Sequence, residues 1–235
     1  MADYRKAIPH VLRWEGGLSS DPKDTAAQGA VTSKLLKGYP IHTNRGVTYT
    51  TWLNTADKVG NPKTEQAFLN MTDGQWGKIF KKQFWDIIQA DRIKSQAIAE
   101  LLVEFAWGSG FGGAKIEYRA LQKYLTERGY DTKGIDGAIG RNTIRALNEY
   151  INKTGAKGEK ELYDFLWLTR RNSLAKKRTA SIHYKGWMNR MNAHLNIWKD
   201  TLGKILTDNP AATGIITSIF FILGGLFFLG KRLKK

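Results

Sequence analysis

The sequence predicts a mainly α-helical protein that ends in a membrane helix. Three observations carry this. Apolar residues recur at helical spacing while alternating strand patterns are scarce, glycine clusters punctuate the helical segments, and a charge-free apolar stretch precedes a basic C-terminus. Of 235 residues, 42% are hydrophobic and 11% aromatic, which is enough to build a core and excludes a wholly disordered chain. The length suits one compact domain with additions, or two small ones.

In the first segment Tyr4, Ile8, Val11 and Leu12 form one apolar stripe at about 100° per residue, and Gly16-Gly17 must end that helix. Pro9 is expected to kink it or delay its start. Residues 25–51 have little helical period and read as loop or short hairpin. Residues 91–107 place Ile93, Ala97, Ile98, Leu101, Leu102 and Phe105 at helical spacing, with Asp91 as the expected cap and Gly108 and Gly110 as the stop. Further helices are predicted over 118–128, closed by Gly129, and over 142–151, 162–177 and 187–198. Glycine-containing breaks at 108–113 and 152–158 are candidate boundaries. The chain has no internal repeat.

The C-terminal signal is the most direct. Between Asp208 and Lys231 no residue is charged, and from Ala211 on nearly all are apolar or small. As a helix this stretch reaches roughly 33 Å, about the thickness of a bilayer core. Residues 210–230 are therefore expected to cross a lipid bilayer, with 201–209 as linker and 231–235 as a basic tail. Lys231, Arg232, Lys234 and Lys235 favour a cytoplasmic C-terminus, which puts the preceding chain outside. Residues 1–7 hold no apolar signal-peptide core, so the span itself must carry the topology.

Composition narrows the chemistry. The absence of cysteine excludes disulfides, thiol catalysis and cysteine-ligated metals. His10, His42, His183 and His194 form no close metal-ligand spacing, so no metal or cofactor is expected. With 37 Lys+Arg against 21 Asp+Glu the formal net charge is +16, which implies a polyanionic partner: nucleic acid, anionic lipid or an acidic cell wall. No nucleic-acid-binding motif accompanies the charge, so a specific nucleic-acid partner is not expected. The basic run from Arg170-Arg171 to Lys176-Lys177-Arg178 reads as a solvated helix face that also helps to hold an anionic polymer.

Glu15 stands out. It falls about 20° from Ile8, in the middle of the apolar stripe, immediately before the double glycine that ends the helix. A carboxyl there faces the core beside the negative end of the helix dipole, and both influences favour the protonated group that a general acid needs. Periodicity alone leaves the alternative of a last-turn carboxylate that reaches solvent or pairs with Arg13 or a more distant arginine.

The blocks around it carry a resemblance. Trp14-Glu15-Gly16-Gly17-Leu18-Ser19-Ser20-Asp21-Pro22-Lys23-Asp24 resembles the opening motif of the glycoside hydrolase family 108 muramidases, phage-type and secretion-associated lysozymes. Asn44-Arg45-Gly46-Val47-Thr48 is similar to their second motif. Phe84-Trp85-Asp86 and the block from Glu100 to Gly110 resemble the third and fourth. Ala120-Leu121-Gln122 and the block from Ile135 to Thr143 resemble a small helical peptidoglycan-binding domain, and Gly186-Trp187-Met188-Asn189-Arg190 matches the closing motif.

The resemblance implies a lysozyme-like helical catalytic domain over 1–112 and a helical peptidoglycan-binding-like domain with closing helices over 113–200. It also implies cleavage of the bond between N-acetylmuramic acid and N-acetylglucosamine in peptidoglycan, with Glu15 as catalytic acid. Asp24, nine residues on, has a spacing similar to the glutamate–aspartate pair of phage-type lysozymes. Glycosidases need such a second carboxylate, about 6.5–9.5 Å away if inverting. Asp21-Pro22 and Asp24-Thr25 are also ordinary turn formers. Thr48 is expected to position a water, and Gly16, Gly17, Asn44 and Gly46 to line the substrate path.

Residues 26–42 depart from the family pattern as an insertion or remodelled loop between Asp24 and Thr48. Glu104 reads as a structural hydrogen-bond acceptor near the cleft. Of the eight tryptophans, potential sugar platforms, Trp107 and Trp198 read as core and Trp187 as packing. The full expectation is a muramidase anchored in a bacterial inner membrane, its catalytic part facing the wall and its role phage lysis or wall remodelling. A non-catalytic wall-binding scaffold and a holin-like membrane disruptor are the competing readings.

Overall fold

The computed structural model describes residues 1–21 and 41–208, with side chains described to residue 196. Asp24, most of the remodelled loop, the expected span 210–230 and the basic tail lie outside the described residues. The chain divides into two compact units, Met1–Met191 and Asn192–Lys235. The fold is mainly helical, as expected. Among the described residues no helix is long and apolar enough to cross a membrane.

Helix α1 (Tyr4–Trp14) starts where the Asp3 carboxylate accepts from the Arg5 amide, and it buries Ala7, His10 and Val11. Pro9 lies inside it without ending it; the ring removes one intrahelical hydrogen bond and the apolar stripe outweighs that loss. Glu15 leaves the helix in an extended conformation, φ −87° and ψ 134°, with its amide on the Leu12 carbonyl. The chain then enters a small antiparallel sheet of three two-residue strands, β1 (Leu18–Ser19), β2 (Thr43–Asn44) and β3 (Val47–Thr48). Leu18 pairs with Asn44, and Thr43 with Thr48. The β2–β3 hairpin turns on Arg45-Gly46, both at positive φ (49° and 75°), as a two-residue hairpin turn requires.

Short helices follow: α2 (Tyr49–Thr55), α3 (Glu65–Leu69) and α4 (Asp73–Phe80), capped by the hydroxyls of Thr48, Thr64 and Thr72. Thr72 and Gln75 form a reciprocal capping box. A π-helical turn (Lys81–Trp85) and a 3-10 turn (Ala90–Arg92) lead to α5 (Gln96–Thr126). Asp91 does not cap this helix. Its carboxylate instead accepts from the Trp85 indole at 2.5 Å and pairs with Lys81, and Ser95 caps α5 through the Ile98 amide.

The first half of α5 is the hydrophobic axis: Ala97 to Ala106 are all buried, as are Trp52, Phe68, Trp76, Phe80 and Trp85. At Gly110 the backbone takes φ 65°, ψ 165°, and the second half sets off in a new direction, tied back by the Tyr118 hydroxyl donating to the Leu102 carbonyl. Helix α6 (Arg141–Ala175) carries a similar break at Gly155 (φ 61°, ψ −156°), inside the glycine-containing stretch that marked a boundary in the sequence. Helices α5 and α6 are joined by a buried ion pair in which Arg170 donates to Glu117 at 3.2 Å, with Ser173 donating to the same carboxylate. Helix α7 (Ala180–Asp208) closes the described chain.

Candidate active site

Two local devices place Glu15. The double glycine releases the chain from α1, and the β1–β2 pairing folds it onto the hairpin, with the Arg45 amide donating to the Gly17 carbonyl at 3.0 Å. The hairpin turn is pinned by the Trp76 indole, which donates to the Arg45 carbonyl at 2.9 Å, and by the Arg45–Asp73 ion pair. Gly46 thereby lies directly against the Glu15 carboxyl. A Cβ on Gly46 would collide with Glu15 Oε2 and come within 2.8 Å of Trp107 Cζ2. Only glycine fits this position, for its positive φ and for the approach.

The cleft holds about 300 Å³ and is open to solvent. It is lined by Glu15, Gly46, Phe84, Glu104, Trp107 and Gly108, together with residues of α6 and α7, among them Arg170, Trp187 and Arg190. Trp107 is central. Its ring packs edge-on against Phe84, Trp76 and Phe80 at centroid distances of 4.7, 5.3 and 5.6 Å, and Phe84 stacks on Phe111. Its indole N–H donates to Glu15 Oε1 at 2.5 Å. The same oxygen accepts from Arg190 Nη1 at 2.9 Å. The guanidinium grips Glu104 with its other two nitrogens, Nε to Oε1 and Nη2 to Oε2, the latter at 2.9 Å. One arginine thus bridges two carboxylates.

These groups are largely withdrawn from water: the side-chain exposures of Arg190, Glu15 and Glu104 are 16%, 14% and 7%. Burial pushes the Glu104 carboxyl above the ordinary range, opposed by the Arg190 guanidinium. For Arg190 burial acts downward, and the pull of Glu104 and Glu15 outweighs it, so the guanidinium is held still more firmly charged. His10, on the buried face of α1, is pulled down to about 4 by burial first and then by the charges of Arg190 and Arg13. Lys177, whose ammonium donates to Ser109 and lies over the Trp187 ring, is lowered by burial and by Arg170.

The residues expected at the site from sequence fare differently. Glu15 and Gly46 meet in the cleft. Gly16 and Gly17 adjoin it and are exposed, with open space around each. Asn44 is buried, its amide donating to the carbonyls of Phe68 and Leu69. The Thr48 hydroxyl caps α2 and donates to Thr51. Glu104 is an acceptor at the cleft, as read. Trp107 and Trp187 are half-buried cleft walls instead of core or packing alone. Arg190 and Phe84 stood in the quoted motifs without a role, and Arg170 in the basic run. The clue to Arg190 was Glu15 itself, a carboxylate on an apolar stripe that calls for a cation. Among the described residues no cluster of three or more His, Asp or Glu is placed to hold a metal.

The fold and the cleft fit a carbohydrate-cleaving enzyme of the lysozyme type, and similarity to known proteins makes this definite. Residues 8–110 match the family model described as glycosyl hydrolase 108, and residues 117–192 match one described as a predicted peptidoglycan domain. Residues 8–110 thus carry a glycosyl hydrolase 108 domain: the chain is a muramidase-type glycoside hydrolase and, with the second match, a peptidoglycan hydrolase. Among solved structures, that titled "Structure of Brucella abortus SagA" superposes with a TM-score of 0.53 at 25% identity, over 81% of this chain and 90% of that one. No curated protein is similar enough to count as a relative.

Proposed function

We propose that the protein is an N-acetylmuramidase that hydrolyses the bond between N-acetylmuramic acid and N-acetylglucosamine, with Glu15 as the general acid. The observation that carries this is the Glu15 carboxyl, bonded by the Trp107 indole in a solvent-open cleft of about 300 Å³ lined by Phe84, Trp107 and Trp187. The proton passes from Glu15 to the glycosidic oxygen as the bond breaks, and a second carboxylate supports the cationic sugar or activates water. Asp24 is our candidate for that second group. Asn44 and Thr48 build the hairpin that carries Gly46 and so shape the substrate path, and Thr48 is our candidate for positioning the attacking water.

Residues 210–230 anchor the enzyme in the inner membrane, with the basic tail inside and the catalytic part facing the wall. Support comes from the charge-free stretch and the four basic residues after it. The role is wall degradation, in phage lysis or in remodelling.

The test is turnover of purified peptidoglycan by the full chain, with mass spectrometry of the new reducing ends. Muramic acid ends are expected. Glu15→Gln, which keeps the shape and removes the proton, should lower turnover by roughly 10²–10⁴-fold with unchanged folding. Near-native turnover in this variant, or glucosamine ends, overturns the reading. Protease added to the outer face of spheroplasts should cut the catalytic part and spare a C-terminal tag; the reverse pattern refutes the topology.

A further inference from the structure

The catalytic acid does not stand alone in its own half of the chain. Glu15 belongs to the segment matching the hydrolase family, and Arg190, which bonds it, belongs to the segment matching the peptidoglycan domain, 175 residues away. Five of the cleft's lining residues come from that second segment, and both segments, as far as Met191, fall within one compact unit. The geometry around the carboxyl is asymmetric. Oε1 receives two N–H donors, from Trp107 and Arg190. Oε2 lies against Gly46, so close that a Cβ there would collide with it. An oxygen that accepts two N–H groups is occupied as an acceptor, so a proton on this carboxyl resides on the other oxygen.

We infer that Arg190 is a positioning residue of the active site: it fixes Glu15 so that Oε2, beside Gly46, is the oxygen that carries and delivers the proton. Arg190 can do this because Glu104 holds it in turn. Two nitrogens of the guanidinium are locked on a carboxylate only 7% exposed, which leaves Nη1 in a fixed place; the planar fork makes such a bridge where a lysine's single nitrogen cannot. When Oε2 gives up its proton to the glycosidic oxygen, a negative charge appears on Glu15, and Arg190 is already in place to receive it without reorganisation. The peptidoglycan-domain segment therefore does more than hold the wall polymer. It completes the catalytic centre.

This inference rests on Glu15 being the acid, and the test separates the two. Full-length variants are assayed on soluble glycan strands released from peptidoglycan, with binding to insoluble sacculi and melting measured alongside. Arg190→Gln leaves Glu104 buried without its cation and can compromise folding, so Glu104→Gln/Arg190→Gln, which buries no charge there, is made as well. A misplacement of about 1 Å costs roughly 10²-fold. The double variant should lose kcat to that extent while KM and sacculus binding stay near native. Arg190→Lys should recover only part of the rate, and added guanidinium ion should raise the rate of the double variant while leaving the native enzyme unaffected. Native kcat in the folded double variant, or a loss confined to KM, overturns the positioning role. If Glu15→Gln remains active, the assignment of the acid fails first, whatever Arg190 does.

Discussion

Replacing Gly46 by alanine tests the cleft at its tightest point. The new methyl group meets two costs. At φ 75° an L-residue is strained by about 1–2 kcal/mol, which should appear as a lower melting temperature. The methyl carbon would also stand 2.8 Å from Trp107 Cζ2, where carbon contacts settle near 3.5 Å. The ring or the hairpin must then move by about 0.7 Å, and Glu15 Oε2, the other obstacle, must move too. Since the same indole holds Glu15 Oε1, the carboxyl cannot retreat without loosening its bond to Trp107. A displacement of that size predicts a loss of roughly 10²-fold in kcat, well beyond what the stability change explains at a temperature where the variant is folded. Turnover on peptidoglycan fragments, measured at least 15 °C below the variant's melting point so that the folded fraction is near one, is the assay. A Gly46→Ala enzyme with native kcat would show that neither Oε2 nor the hairpin is placed as described, and would remove the geometric basis for the site.

Gly112→Ala serves as the contrasting glycine: it is exposed, helical and has open space around its missing Cβ, so the substitution should stabilise by about 0.5–1 kcal/mol and leave turnover unchanged, as thermal melting will show. Thr72→Ala removes the capping box of α4 and should cost about 1 kcal/mol in urea unfolding, without a rate defect of its own. His10 has a value lowered from 6.5 to about 4, so the unfolded chain takes up the proton first and stability falls as pH drops from about 6.5 towards 4, by about 3 kcal/mol in all. The difference in melting temperature between native protein and His10→Gln should shrink across that window, and a constant difference would contradict the assignment. Asp24→Asn should lower turnover strongly with sacculus binding retained; a drop in melting temperature alone would assign Asp24 to turn formation.

Much of this organisation was legible residue by residue. The stripe of Tyr4, Ile8, Val11 and Leu12 with Glu15 beside it is a one-dimensional pattern, and α1 spans it even through Pro9, but the fully buried face is turned towards Ala7, His10 and Val11. Capping was harder. Asp91 and Ser95 both suit the start of α5, and what decides between them is Trp85, whose indole needs an acceptor and takes Asp91. The breaks at Gly110 and Gly155 were readable as glycine-containing interruptions, but not as sharp turns between helices that continue on both sides. Trp107 read as core because its spacing follows the apolar face; its position at the edge of that face, with the N–H turned to Glu15, depends on the hairpin arriving from residues 43–48. Arg190 lay furthest from reach. Its partners are 86 and 175 residues away, and no local period reports a contact of that range. Asp24 and residues 210–230, which we propose as second carboxylate and membrane span, lie outside the described residues.

The bend at Gly110 has a consequence for how such enzymes can be recombined. The match to the hydrolase family stops at residue 110 and the next begins at 117. The seam between them therefore falls inside a helix, at a backbone conformation of φ 65°, ψ 165° that is essentially open to glycine alone. Where modules are joined by a loose tether, one can be exchanged for another by cutting the tether. Here the seam acts as a crank. One residue inserted after it would rotate everything downstream by about 100°, carrying Tyr118 away from Leu102 and Glu117 away from Arg170. Chimeras spliced at this seam will keep a working cleft only if they keep the glycine and the residue count on both sides of it, and the two segments are in effect inherited as one piece.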